Sequence, residues 1–279
     1  MNFFLTKRAK RFLIAFDRIL FNKKIHTFYR MANIRRYQLG LKEVSKYNFV
    51  TYYNKIESNL LARLCDEHGS DKGSAMEGNH PYPWFPHSYT DFYTLRLKSY
   101  RLQIKNVLEF GIGTNNVAIP STMGKNAIPG ASLRVWKNYF SNASIYGADI
   151  DKEILFEEDS ITTFYCDQTD RQSLKNMWNI IGETKFDLII DDGLHTFQAG
   201  INTFLESINH LSDIGLYVIE DVKSSDLRIY SDFFLNINIP VEFIVFHCTN
   251  KINHDDNLIV ISALDVAASH GTNKISNEY

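Results

Sequence analysis

An open α/β fold, with a doubly wound and mostly parallel sheet, is the architecture that the sequence predicts. Three observations point to it. From about Ile104 onward, short apolar runs alternate with amphipathic stretches, the pattern of strands separated by helices. The first run ends in paired glycines, Gly111 and Gly113, where a backbone must turn sharply. The last two runs are joined only by the polar stretch Cys248–Asp256, too short for a helical crossover, so they must pair antiparallel. Seven strands follow in order: 106–110, 144–148, 162–166, 186–190, 215–219, 241–247 and 257–262. Helices are expected between most of them, including 132–139, 173–180 and 197–210.

The 279 residues, 44% of them hydrophobic, suffice for one sizeable core and a smaller accessory region. Four segments are expected: a basic amphipathic helical arm (1–42), an accessory helical or lid region (43–100), the α/β domain (101–265) and a polar tail (266–279). The arm carries 11 Lys/Arg against one acid, and the rest carries 19 against 31, so a basic arm precedes an acidic body. Within the arm, Leu5, Ala9, Phe12, Phe16 and Ile19 form one apolar stripe. Packing on the body or on a second subunit is the first reading, which makes a homo-oligomer the expectation. Peripheral contact with an anionic membrane comes second. No nucleic-acid-reading module accompanies the charge, so no nucleic-acid partner is expected. No run of 18 or more apolar residues occurs, and the arm lacks a signal-peptide pattern. Three scattered cysteines (65, 166 and 248) read as reduced thiols, and a cytoplasmic location is expected. Residues 43–100 contain an irregular stretch where His80, Tyr82, Trp84, Phe85, His87 and Tyr89 crowd together, suited to a lid or a substrate wall.

Chemistry concentrates at the strand ends, which face the ligand crevice in such sheets. The first strand closes on Glu109-Phe110-Gly111-Ile112-Gly113. A dinucleotide fingerprint would place a third glycine at Asn116 and open a helix at once; here helix formation waits until about Ser132. The second strand ends near Asp149 and Asp151, either of which can accept hydrogen bonds from a ribose diol. Asp149 is preferred, because Asp151 suits a helix N-cap. Asp167 and Gln168, after the third strand, suit an adenine edge. The fourth strand runs into Asp191-Asp192-Gly193-Leu194-His195, and the fifth ends in Glu220-Asp221. Four carboxylates and one imidazole from neighbouring strands repel one another unless a cation intervenes. Oxygen ligation suits Mg²⁺ or Ca²⁺, against the alternative of caps and salt bridges. His195 suits a general base.

Taken together these motifs, with Gly69-Ser70-Asp71-Lys72-Gly73, His87-Ser88-Tyr89 and Gly130–Trp136, resemble the class I S-adenosylmethionine-dependent methyltransferases, and most closely the macrocin and mycinamicin O-methyltransferase family. The resemblance covers about 61–263. It implies a Rossmann-like fold and S-adenosyl-L-methionine bound by Glu109, Gly111, Gly113, Asp149, Asp167 and Gln168, to which Asp191 is added. It implies Mg²⁺ or another divalent cation on Asp192, Glu220 and Asp221, with His195 as base. Lys72, His87 and Tyr89 are expected to touch the substrate. Leu194 departs from the small polar residue common at that position, and the basic arm has no evident counterpart.

The expected reaction is metal-assisted O-methylation of a sugar or other polar hydroxyl in glycan, capsule or natural-product biosynthesis. A second expectation is a phosphorylated or phosphoramidate-type capsule precursor, its anion met by Lys72, His80 and His87. An NAD-dependent oxidoreductase and a non-catalytic binding protein are the rivals on such a fold.

Overall fold

A computed structural model of the chain describes residues 49–53, 59–76, 80–246 and 256–270, all within one compact unit spanning 47–279. The basic arm and its Leu5–Ile19 stripe lie outside the described residues, as does Cys248. Among the described residues, no helix is long and apolar enough to cross a membrane.

Among the described residues, nine strands form one sheet: β1 (Phe49–Tyr53), β2 (Asn106–Phe110), β3 (Ser144–Asp149), β4 (Glu157–Glu158), β5 (Ile161–Tyr165), β6 (Phe186–Asp191), β7 (Leu211–Val222), β8 (Glu242–Phe246) and β9 (Asn257–Ser262). Their order is β1-β8-β9-β7-β6-β2-β3-β5-β4. The seven expected strands are all present, and β8 and β9 pair antiparallel as expected. β9 also pairs antiparallel with β7, so it enters the sheet reversed between two strands that point the same way. The sheet exceeds the expected seven strands by two at its edges. β1 adds parallel to β8, and the two-residue β4 adds antiparallel to β5. β1 escaped the periodicity reading because its five residues, FVTYY, lie in a region read as helical. β4 escaped it because it consists of two exposed glutamates.

The central strands read as unbroken apolar runs because both their faces are covered. Val107, Leu108, Phe110, Leu188, Ile189, Ile190, Tyr217 and Val218 are all fully buried. Seven helices are described: α1 (Leu60–His68), α2 (Tyr89–Leu97), α3 (Ala131–Tyr139), α4 (Arg171–Ile181), α5 (Phe197–Ser207), α6 (Leu227–Asn236) and α7 (Ala263–His270). Polar residues at their starts set the entry points: Asn59, Asp170 and Thr196 each accept a backbone N–H of the first turn of α1, α4 and α5. The accessory helices do not form a separate core. Leu61 and Cys65 of α1 and Phe92, Tyr93 and Leu97 of α2 share one buried cluster with Trp136, Tyr139 and Val107. This sharing brings residues 69–76 and 80–88 over the carboxyl ends of the strands. The first residues of the expected polar tail are helical, within α7.

Candidate active site

A cleft of about 590 Å³ opens along the carboxyl ends of β2, β3, β5, β6 and β7, a size that suits a small-molecule site. Its floor is set by the turn after β2. Gly111 and Gly113 both adopt positive φ, +82° and +83°, a region that glycine enters without steric cost. A Cβ on Gly111 would collide with the backbone carbonyl of Asp192. The ends of β2 and β6 are pressed together there, with the Asp192 N–H donating to the Phe110 carbonyl at 2.9 Å. Helix α3 begins only at Ala131, behind Gly130, so the delay read from the sequence is real.

On the β3 side, Asp149 borders the cleft. Its carboxylate accepts the N–H of Ile112 and of Asp151, each at 2.9 Å, which ties the glycine turn to the end of β3. Burial pushes its pKa up, against the pull of those backbone donors. Asp151 caps the short turn after β3 and accepts the Thr114 hydroxyl at 2.5 Å, the structural part expected of it. Asp167 borders the cleft with one oxygen engaged by Thr169. The Gln168 amide also borders it but is committed to scaffold contacts. It donates to Asp191 at 2.6 Å and to Thr203 at 2.9 Å, and accepts the Leu194 N–H at 2.9 Å.

Two residues expected at the cofactor stand elsewhere. Glu109 is fully buried beneath the cleft, where its carboxylate accepts the Trp136 indole N–H at 2.5 Å and faces Lys72 at 3.1 Å. Asp191 points away from the large cleft into a small cavity on the far side of His195. Both follow from strand geometry, since successive side chains reverse direction and only alternate residues can face the cleft.

On the β6–β7 side, Asp192, His195 and Asp221 offer ligand atoms that all lie within 4.8 Å of one another. His195 and Asp221 have positive φ, +54° and +52°. Such strain costs on the order of 1–3 kcal/mol per residue and collects at functional sites. Glu220, next to Asp221, is 1% exposed and is held by the Tyr93 hydroxyl and the Lys72 ammonium.

Lys72 departs most from expectation. It was read as a cation awaiting the substrate. Instead it is 1% exposed and sits among Asp192 at 2.5 Å, Glu109 at 3.1 Å and Glu220. Burial alone would lower its pKa, but Asp192, Glu109 and Glu220 together hold it well above its ordinary value. The acids pay a complementary penalty. Burial pushes Glu220 up to about 7, with Glu109 adding to the shift and Lys72 opposing it. Asp192 is driven well up by burial and by Glu220, Asp221 and Glu109, against Lys72. One ammonium therefore faces three carboxylates, a surplus of negative charge at the mouth of the cluster.

His87 and Tyr89 border the cleft, and both also hold Asp221 in place. The Tyr89 hydroxyl donates to Asp221 at 2.5 Å, and the His87 ring, stacked on Tyr89, lies 3.6 Å from it. The other His87 nitrogen meets Asp256 just before β9, and Asp71 lies 3.7 Å away. Burial opposes the charged ring, but Asp221, Asp256 and Asp71 prevail and hold its pKa well above the ordinary value. Asp221 is correspondingly held low by His87 and His195 in spite of its burial. The aromatic stretch forms a ladder: His80 stacks on Tyr82 at 5.1 Å and Tyr82 on Trp84 at 5.8 Å. Trp84 borders the cleft with its indole N–H fixed on Asp71 at 2.7 Å.

Sequence reasoning passed over Tyr93, Trp136 and Asp256. A signal existed for Tyr93, which lies four residues after Tyr89 and hence on the same face of α2.

No family model matches the chain. The mycinamycin-pathway MycE methyltransferase, in its structure with Mg and SAH, superposes with a TM-score of 0.51 at 24% identity, covering 74% of this chain and 55% of that one. The chain carries a Rossmann-like methyltransferase fold. Among curated proteins it is similar to an 8-demethyl-8-alpha-L-rhamnosyl tetracenomycin-C 2'-O-methyltransferase of Streptomyces olivaceus, 33% identical over 165 residues, 59% of this chain and 38% of that one. It is also similar to a demethylmacrocin O-methyltransferase of Streptomyces fradiae, 37% identical over 136 residues (49% of this chain, 32% of that one). A third is a mycinamicin VI 2''-O-methyltransferase of Micromonospora griseorubida, 36% identical over 138 residues (50% and 32%). The resemblance read from the motifs thus stands. The matched stretch spans less than two fifths of the length of these three relatives.

Proposed function

We propose that the chain is an S-adenosylmethionine-dependent O-methyltransferase whose acceptor is a hydroxyl of a sugar, assisted by a divalent cation. One observation carries this reading. A single cleft is bordered by the glycine turn and Asp149 at one end and by the Asp192–His195–Asp221 cluster at the other. The first end suits the ribose and adenine of the cofactor. The second combines surplus negative charge with oxygen donors, which fits a hard divalent ion. Asp192, Glu220 and Asp221 are the residues assigned to hold it, with Lys72 neutralising part of their charge. A divalent ion held there would supply Lewis-acid activation of an acceptor hydroxyl, and S-adenosylmethionine would supply an electrophilic methyl group.

The chain's own residues do the rest. Tyr89 and His87 fix the Asp221 carboxylate, and Lys72 and Tyr93 fix Glu220. His195, 3.8 Å from Asp221, is the base that removes the acceptor proton. The acceptor oxygen and the methyl carbon must be held about 3–3.5 Å apart and in line. The Trp84 ladder offers a rigid aromatic face beside the cleft, suited to the apolar face of a sugar ring. A phosphorylated acceptor has less in its favour, because Lys72 and His87 are each already committed to several carboxylates. The N-terminal arm is proposed to serve assembly, and a role in glycan, capsule or natural-product biosynthesis belongs to the same proposal.

The test is calorimetric titration with S-adenosylmethionine and with NAD, followed by methyl transfer to a panel of methyl glycosides that includes methyl α-L-rhamnoside. Binding of S-adenosylmethionine and not NAD, with transfer abolished by chelation and restored by Mg²⁺, is the expected result. Full activity in chelator removes the metal from the mechanism, and binding of NAD alone removes the methyltransferase.

A further inference from the structure

Behind His195, on the side away from the large cleft, lies a small cavity of about 10 Å³. His195, Glu220 and Asp221 border both spaces, so they form the wall between them. The rest of the small cavity is built by the end of β6, the start of α5 and α6, through Asp191, Gly200 and Tyr230. Its volume is at the scale of a single water molecule.

Asp191 faces this cavity with a carboxylate that is only half satisfied. One oxygen accepts the Gln168 amide at 2.6 Å. The other is buried and has no hydrogen-bond partner among the described residues. Asp191 is 4% exposed, so open solvent does not serve that oxygen. A buried acceptor without a partner costs about 1–3 kcal/mol, and most such groups are met by protein or by ordered water. Gly200 lets the Tyr230 hydroxyl reach the wall of this cavity. A Cβ there would meet the Tyr230 hydroxyl at 2.5 Å and the unpartnered Asp191 oxygen at 3.6 Å. The space of the missing side chain is thus taken by the Tyr230 hydroxyl, which joins Asp191 and His195 in lining the small cavity.

We propose that Asp191 is a positioning residue for His195, acting through one water held in this cavity between the Asp191 carboxylate, the Tyr230 hydroxyl and the imidazole. A carboxylate behind a basic histidine keeps the proton on the rear nitrogen, and so presents the other nitrogen, lone pair free, to the acceptor. The inference rests on the reading of His195 as the base. It moves Asp191 from cofactor contact to support of the proton acceptor, and it explains why two consecutive acids end β6: Asp192 faces the cleft and Asp191 braces the histidine from behind.

The test reads the imidazole directly. Ring ¹⁵N chemical shifts of His195 are recorded in ligand-free protein along a pH series, and the tautomer is read on the high-pH plateau of the titration. The variants are Asp191→Asn, Tyr230→Phe and the pair Gly200→Ala with Tyr230→Phe. In that pair a methyl group takes the place of the hydroxyl, 3.6 Å from the Asp191 oxygen, so the water loses its Tyr230 partner and faces an apolar group while Asp191 and His195 stay intact. The expected result is one dominant tautomer in the parent protein, with the ratio moved toward an even mixture by at least about threefold in Asp191→Asn and in the double variant. Affinity for S-adenosylmethionine should stay within about twofold. An unchanged tautomer in the double variant overturns the proposal even if Asp191→Asn fails to fold. So does a lost cofactor affinity with the tautomer intact, which returns Asp191 to the cofactor. Full turnover in His195→Ala would instead sink the base assignment, whatever the ring shifts show.

Discussion

Replacing Lys72 by methionine should unbalance the site in a way that pH can reverse. The ammonium is the shared counter-ion of Asp192, Glu109 and Glu220, and its side chain is 2% exposed. Removing one partner of a buried ion pair costs about 3–5 kcal/mol, because the other charge is left uncompensated. Three carboxylates are stranded here, so the upper part of that range applies. In a unit of this size each kcal/mol moves the melting midpoint by about 2–4 °C, giving a fall of about 8–20 °C. The sign of the pH dependence follows from Glu220, raised from 4.5 to about 7. A carboxylate with a raised folded pKa favours the folded state below its unfolded value and loses that contribution as pH rises through the folded one. Deleting Lys72 removes the main influence opposing the rise. The deficit of Lys72→Met should therefore be small near pH 5 and large near pH 8. Mg²⁺ should recover part of it at pH 8 by binding only the folded form. Melting curves at the two pH values, with and without Mg²⁺, measure all three effects. A variant that melts with the parent at pH 8, or that loses more at pH 5, refutes the account of Lys72 as internal counter-ion.

Three further outcomes are expected. His195→Ala should retain Mg²⁺ affinity by calorimetry and lose roughly 10²–10⁴-fold in turnover; a matching loss of metal affinity would make His195 a ligand instead of a base. Asp149→Asn removes a charged acceptor and sets an amide NH2 against one of the two backbone N–H groups that the carboxylate ties, so S-adenosylmethionine should bind more weakly by at least about 1–3 kcal/mol, and unchanged affinity in a folded variant refutes the ribose assignment. Asp256→Asn removes one of the carboxylates that hold His87 charged. A histidine with a raised folded pKa stabilises fully below about pH 6.5 and loses that contribution as pH climbs through the raised value. The variant should therefore fall short of the parent by about 1–3 kcal/mol at pH 6 and by less at pH 9; a deficit that grows with pH would contradict the charged state assigned to His87.

Most of the sheet was legible because burial on both faces writes strands as short apolar runs, and each of the seven runs became a strand. The rule that ligands lie at the carboxyl ends of parallel strands then placed Asp149, Asp167, Asp192, His195 and Asp221 at one cleft. Charge pairing was not legible. Lys72 finds its partners 37, 120 and 148 positions along the chain, and only the packing of α1 and α2 on the sheet decides that residues 69–76 pass over them. The sequence marks Lys72 as a cation in a loop, and a loop cation reads as a substrate contact until its burial is known.

A finer signal was present and went unused. Side chains along a strand reverse with each residue, so Asp191 and Asp192 cannot both face the cleft. Gly111 fixes which one does, because its missing Cβ lets the Asp192 backbone close onto the end of β2. The same reversal separates Glu220, drawn down to Lys72 and Tyr93, from Asp221, drawn across to Tyr89 and His87. Each pair of consecutive acids thus divides its work between two environments.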